Sequence, residues 1–173
     1  MKKGFTLIEL LIVIAIIAIL AGVVFVSLDP LKRFQSARDA ARWTDVTAVL
    51  SALKVDQVDN GGSYITAVDS ATADTNYVIG KAVTGCNTIC DGVPTAQACI
   101  DLSGLNAEAG NEGYLGKIPV SPEGTKHTGA SNGWDDTKTG YYLNKSPLGA
   151  LTIGACDSED LDALTASPVK VSR

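Results

Sequence analysis

From Leu10 to Val26 the chain carries no polar side chain, and directly in front of that run stands a single acid, Glu9. With Phe5 to Ile8 ahead and Leu28 behind, the stretch reaches the ~20 residues that a helix needs to cross a bilayer. A carboxylate in such a segment costs about 2.5–3.5 kcal/mol at the bilayer centre. It therefore demands a partner or a task. A short leader with Lys2 and Lys3 comes first and ends in Gly4. An ordinary cleaved signal fits poorly, because the leader is very short and no A-x-A-like site follows the apolar run.

The remainder of the 173 residues is rich in Gly, Thr, Ser, Asp and Ala and ends in an acidic tail. That length suits one domain plus an appended helix. The net charge of -5 leaves no basic surface for nucleic acid. A single histidine, His127, excludes a multi-histidine metal centre. The four cysteines, Cys86, Cys90, Cys99 and Cys156, lack the paired C-x-x-C spacing of a zinc site. In a chain with a membrane-insertion segment they read as disulfides in an oxidising compartment. Three pairings are possible and the spacing does not choose among them. Cys86–Cys90 with Cys99–Cys156 is the one expected first.

The leader K-K-G followed by F-T-L-I-E-L resembles the class III signal shared by type IV prepilins and the pseudopilins of type II secretion. Glycine, the following Phe, and an acid four residues later all fall in the family's places. The resemblance implies cleavage between Gly4 and Phe5 by a prepilin peptidase and N-methylation of the new Phe5 amine. It implies that the apolar segment is retained, and that Glu9 pairs with the Phe5 amine of a neighbouring subunit as the filament assembles. Pilins commonly loosen their helix between a glycine and a proline, and Gly22 and Pro30 occupy matching places.

Asp29-Pro30 interrupts the helical pattern, because Pro30 has no backbone donor. Beyond it, Leu31, Phe34, Ala37, Ala41, Val46, Val49, Leu50, Leu53 and Val58 recur at three- and four-residue spacing, which predicts an amphipathic helix. Asn60-Gly61-Gly62 ends it. One bent helix from Phe5 to Asp59 would span roughly 80 Å. Its charged residues, including Arg38 and Arg42, read as a solvated face or as contacts to neighbouring subunits. The stretch through D-N-G-G-S-Y adds to the pilin resemblance.

After residue 60, Tyr77-Val78-Ile79 predicts a strand, and 140–143 with 150–153 predict a hairpin across 144–149. Residues 96–105 read as a short helix or turn, and 117–124 and 127–133 as loop. The fold class expected is α+β, a long N-terminal helix on a small antiparallel sheet. The organisation expected is a leader at 1–4, a membrane or filament-core half-helix at 5–28, an amphipathic half at 29–60 and a head at 61–173. The I-P-x-S-P motif and T-G-Y-Y-L resemble pilin-like heads. The major pseudopilin pattern has Asp where Ser121 stands. Asp135, Asp136, Asp157, Glu159 and Asp160 lack calcium-loop spacing and read as an acidic surface. Asn144-Lys145-Ser146 fits a glycosylation sequon that chance supplies often.

No enzyme motif and no cofactor site is expected. The function expected is a structural subunit of a type IV pilus. Its expected partners are copies of itself, the prepilin peptidase and the pilus assembly machinery, first in the inner membrane and then at the cell surface. The alternatives are a pseudopilin of a type II secretion system and a membrane-anchored extracellular binding domain that never polymerises.

Overall fold

The computed structural model describes residues 4–82, 84–86, 90, 97–107, 113–122, 133–157 and 169–173. They form an α+β arrangement. Helix α1 (Leu7–Leu28) and helix α2 (Pro30–Asp59) are followed by the short α3 (Thr66–Asp69) and a mixed five-stranded sheet. The chain divides into two compact units, Met1–Phe34 and Gln35–Arg173.

In the first unit, α1 is long and apolar enough to cross a membrane, and none of its residues is buried. Gly22 lies within its helical span. The interruption falls at Asp29, which takes a left-handed conformation with φ 38° and closes α1. Pro30 then opens α2, where a missing N–H removes no helical bond. The Arg33 side chain donates from Nε to the Leu28 carbonyl at 3.0 Å and satisfies one of the orphan acceptors of α1.

The second unit is built on the inner stripe of α2. Val46, Val49, Leu50, Ala52 and Leu53 are buried, and they pack on one face of the sheet. Leu31, Phe34, Ala37, Ala41 and Val58, expected on this stripe, are exposed. The sheet runs β2-β1-β3-β4-β5, with β1 (Asn76–Ile79), β2 (Gln97–Ile100), β3 (Tyr141–Lys145), β4 (Leu151–Ala155) and β5 (Lys170–Ser172). The period-two alternation of strands sorts the side chains. Ile79, Tyr141, Leu143 and Ile153 face α2, while Val78 and Tyr142 belong to a second, separate cluster.

The expected hairpin forms as β3–β4 with Tyr141 opposite Ala155. Three features differ from the sequence expectation. The sheet is not wholly antiparallel, because β2 pairs with β1 in parallel, Val78 opposite Cys99. Residues 97–100 are this strand, and only Ser103–Leu105 makes a helical turn, of the 3₁₀ kind. The tail supplies β5, antiparallel to β4. A three-residue strand has too little periodicity to announce itself, and its partner lies far away in sequence.

The helix ends as expected at Asn60-Gly61-Gly62. Gly61 and Gly62 have φ 66° and 106°, and the Gly62 N–H donates to the Gln57 carbonyl at 2.7 Å. The buried Asp56 carboxylate then accepts from the Ile65 N–H at 2.7 Å and from Asn60 Nδ2 at 2.9 Å, which ties the turn back to the helix.

Candidate functional site

Helix α1 begins with a capping box. Thr6 is the N-cap, and its hydroxyl oxygen accepts from the Glu9 N–H at 3.3 Å. Glu9 Oε2 in turn accepts from the Thr6 N–H and from the Thr6 hydroxyl, each at 2.8 Å. The signal was present as T-L-I-E at the head of an apolar run. Both Thr6 donors go to Oε2. Phe5, one turn from Glu9, is 87% exposed, and Gly4 is exposed beside it. Thus Gly4, Phe5 and Glu9 lie together on an open helix start. Lys2 and Lys3 lie outside the described residues.

The head holds its polar groups differently from the solvated face expected. Arg42 is fully buried. Its Nη1 pairs with Asp39 at 2.6 Å, its Nε donates to Ser121 Oγ at 3.0 Å, and its Nη2 donates to the Pro122 carbonyl at 2.8 Å. The expectation of a solvated or subunit-contacting Arg42 is therefore corrected. A guanidinium with five fixed donors can be buried only where acceptors surround it, and loop 118–122 supplies them. Spacing along α2 could not reveal this, because the acceptors arrive from 79 and 80 residues away. The neighbouring Asp45 accepts from the Tyr141 hydroxyl. Burial, then the Asp45 carboxylate, pushes the Tyr141 phenol well above its ordinary range.

The disulfides join Cys86 to Cys99 and Cys90 to Cys156, with Cα separations of 5.5 and 4.6 Å. The pairing expected first, Cys86–Cys90 with Cys99–Cys156, is incorrect. The parallel β2 strand decides the matter, since it sets Cys99 opposite Val78 and beside the 84–86 segment. In the chain-entropy model, closing loops of these lengths is worth about 3 and about 4 kcal/mol taken singly.

The acidic residues of the head are engaged in local bonds. Asp135 accepts from the Thr137 hydroxyl, from the Thr137 N–H at 2.8 Å and from the Lys138 N–H, which in that order hold its carboxyl below the ordinary range. Asp136 pairs with Lys81 at 3.1 Å, and Asp157 accepts from Trp134 Nε1 at 2.8 Å. Among the described residues no three potential ligands gather to hold a metal ion. Glu159, Asp160 and His127 lie outside the described residues. Asn144 of the sequon donates from Nδ2 to Asn76 Oδ1 at 3.0 Å.

Neither the curated proteins nor the solved structures contain a match to this chain. Residues 1–25 match the family model of the prokaryotic N-terminal methylation motif. That span takes in the leader, Gly4, Phe5, the Thr6–Glu9 capping box and most of α1. Residues 1–25 therefore carry the class III signal found on type IV pilins and pseudopilins, and it runs into a helix long and apolar enough to cross a membrane.

Proposed function

We propose that this chain is the structural subunit of a type IV pilus. The precursor enters the inner membrane through α1. A prepilin peptidase cuts between Gly4 and Phe5, the new Phe5 amine is methylated, and copies of the chain polymerise through their N-terminal helices with the pilus assembly machinery. The observation that carries this reading is the methylation motif over residues 1–25, placed on a helix with no buried face.

The Glu9 geometry supports the charge pairing. Two donors from Thr6 converge on Oε2. The other carboxylate oxygen stays available to a donor from outside the chain. The methylated Phe5 amine of a neighbouring subunit is such a donor. Removing one partner of a buried pair typically costs about 3–5 kcal/mol, so an unmatched Glu9 penalises any axial register but one. The same physics serves a pseudopilin, whose fibre stays short and periplasmic.

The test has two arms. Protein sheared from the cell surface should begin, by mass spectrometry, at N-methylated Phe5. Glu9→Ala should leave membrane insertion intact and abolish filaments. A mature N-terminus at Met1, or filaments made at normal yield by the Glu9 variant, would overturn the proposal. Processed protein that forms periplasmic fibres and no surface filaments would favour the pseudopilin.

A further inference from the structure

Strands β1 and β3 run between two unlike ends of the head. At one end the β3–β4 turn, Ser146-Pro147-Leu148-Gly149, projects a small apolar tip. Pro147, Leu148 and Ala150 are exposed there, Leu148 by 97%. Among the described residues beyond Asp59, no other large hydrophobic side chain is exposed. The turn is braced from within. The Gly149 N–H donates to the Ser146 carbonyl at 2.9 Å, the Ser146 N–H to the Ala150 carbonyl at 2.8 Å, and the Ala150 N–H to Ser146 Oγ at 2.9 Å. Pro147 fixes its own φ. A knob this stiff has little freedom to lose when it docks. These bonds leave the Leu148 N–H free. Beside the base of the turn stands Asp74, whose N–H donates to the Lys145 carbonyl at 2.8 Å. Its carboxylate is exposed and has no ion partner among the described residues.

The opposite end, roughly 17 Å away along the five residues of β3, is concave. Ile79, Leu102 and Ile118 floor an open cleft there, and Lys81, Asp136 and Lys117 stand at its rim. The Thr139 N–H donates to the Ile79 carbonyl at 2.9 Å, which sets the cleft where β1 ends and β3 begins. Lys81 and Asp136 pair with each other at 3.1 Å. Lys117 is exposed and has no partner among the described residues. Asn106, only 8% exposed, lines the same cleft, and its Oδ1 has no donor. A buried carbonyl oxygen without a donor is costly, and an incoming N–H removes that cost.

An apolar knob and an apolar cleft on different parts of one molecule make a heterologous contact, which adds copies in an open line unless the rotation closes a ring. We propose that the heads of successive copies join end to end. Leu148 of one copy seats in the cleft over Leu102 and Ile118 of the next, its N–H meets Asn106 Oδ1, and Asp74 faces Lys117. The occupant is a second copy of this chain because the tip offers an apolar side chain, a free N–H and an unpaired acid, and the cleft offers the complement of each. This contact rests on the reading of the chain as a polymer subunit and deepens it, by giving the heads a joint of their own beside that of the N-terminal helices.

The experiment uses the full-length chain concentrated in detergent micelles, as an equal mixture of unlabelled and heavy-isotope-labelled copies. A carbodiimide joins a carboxylate to an amine only where the two touch. Peptide mapping by mass spectrometry should find Asp74 joined to Lys117 in mixed-isotope pairs, and Lys81 joined to Asp136 within single copies as the internal control. Leu148→Asp, at an exposed turn, should keep the control link and lose about tenfold or more of the mixed one, the scale of one buried leucine side chain. Exchanging the charges, Asp74→Lys with Lys117→Asp, should restore a mixed link between the same positions. Absence of the mixed link while the control forms would overturn the proposal. So would a mixed link that survives Leu148→Asp, or one that joins Asp74 to Lys54 instead. Processing at Gly4 and filament formation are read at the mature N-terminus and on the cell surface, so failure of the polymer reading would leave this link in place.

Discussion

Tyr141 shows how one side chain couples the sheet to the helix. Its ring is buried in the inner core and its hydroxyl donates to Asp45 of α2. Both circumstances favour the neutral phenol and raise its pKa in the folded chain. The unfolded chain loses that proton near pH 10. Stability from this group is therefore complete below about pH 10 and falls as pH rises further, because only the unfolded state gains by ionising. Tyr142, raised by burial alone, has the same sign. Tyr141→Phe should lose about 1 kcal/mol at neutral pH with the hydroxyl bond. It should also show a shallower loss of stability above pH 10 than the parent. Urea unfolding between pH 7 and 11 measures both, and an unchanged alkaline slope would refute the assignment. Asp45 and Tyr141 were each visible in the sequence, but 96 residues separate them and no local pattern links the two. Thr6 is the opposite case. Its partner is three residues away, and the T-x-x-E spelling was legible from the start.

At the scale of elements, α2 is where reading by periodicity succeeded and fell short. The buried stripe Val46, Val49, Leu50 and Leu53 follows the three- and four-residue spacing. The same face includes Arg42 and Asp56, which a polarity pattern assigns to solvent. Their burial depends on acceptors and donors brought by loops, at Ser121, Pro122 and Ile65. Arg42→Ala should destabilise the head by about 3 kcal/mol, near the lower end for breaking a buried pair, because the Asp39 side chain keeps 16% of its exposure to water. Equilibrium unfolding in urea checks this, and a change below about 1 kcal/mol would mean that water replaces the guanidinium. The strands show the same division. The hairpin β3–β4 was legible because its halves are adjacent and separated by a Ser-Pro-Leu-Gly turn. Strand β2 was not, because a parallel edge strand is selected by its partner, across a connection longer than any sequence window. Gly154 adds a packing constraint of this kind, since any Cβ there would strike the Tyr142 ring.

At the scale of the whole chain, the two compact units carry different duties. Met1–Phe34 holds the methylation motif and a helix with no buried residue, while Gln35–Arg173 contains both cores and both disulfides. A fragment spanning 35–173 should fold alone, remain soluble without detergent and form the Cys86–Cys99 and Cys90–Cys156 bonds. Circular dichroism and peptide mapping under non-reducing conditions test this, and a molten or scrambled fragment would show that the head needs the first unit. The N-terminal signal, the apolar helix, the break at Asp29-Pro30 and the stop at Gly61-Gly62 were determined by the sequence alone. Each rests on residues within a turn or two of one another, where backbone chemistry and hydropathy act directly. The tertiary structure alone decided the cysteine pairing, the parallel β2, the β5 strand and the buried Arg42. Each of these requires groups distant in the chain to meet, and which groups meet is settled by packing of the whole head around its sheet.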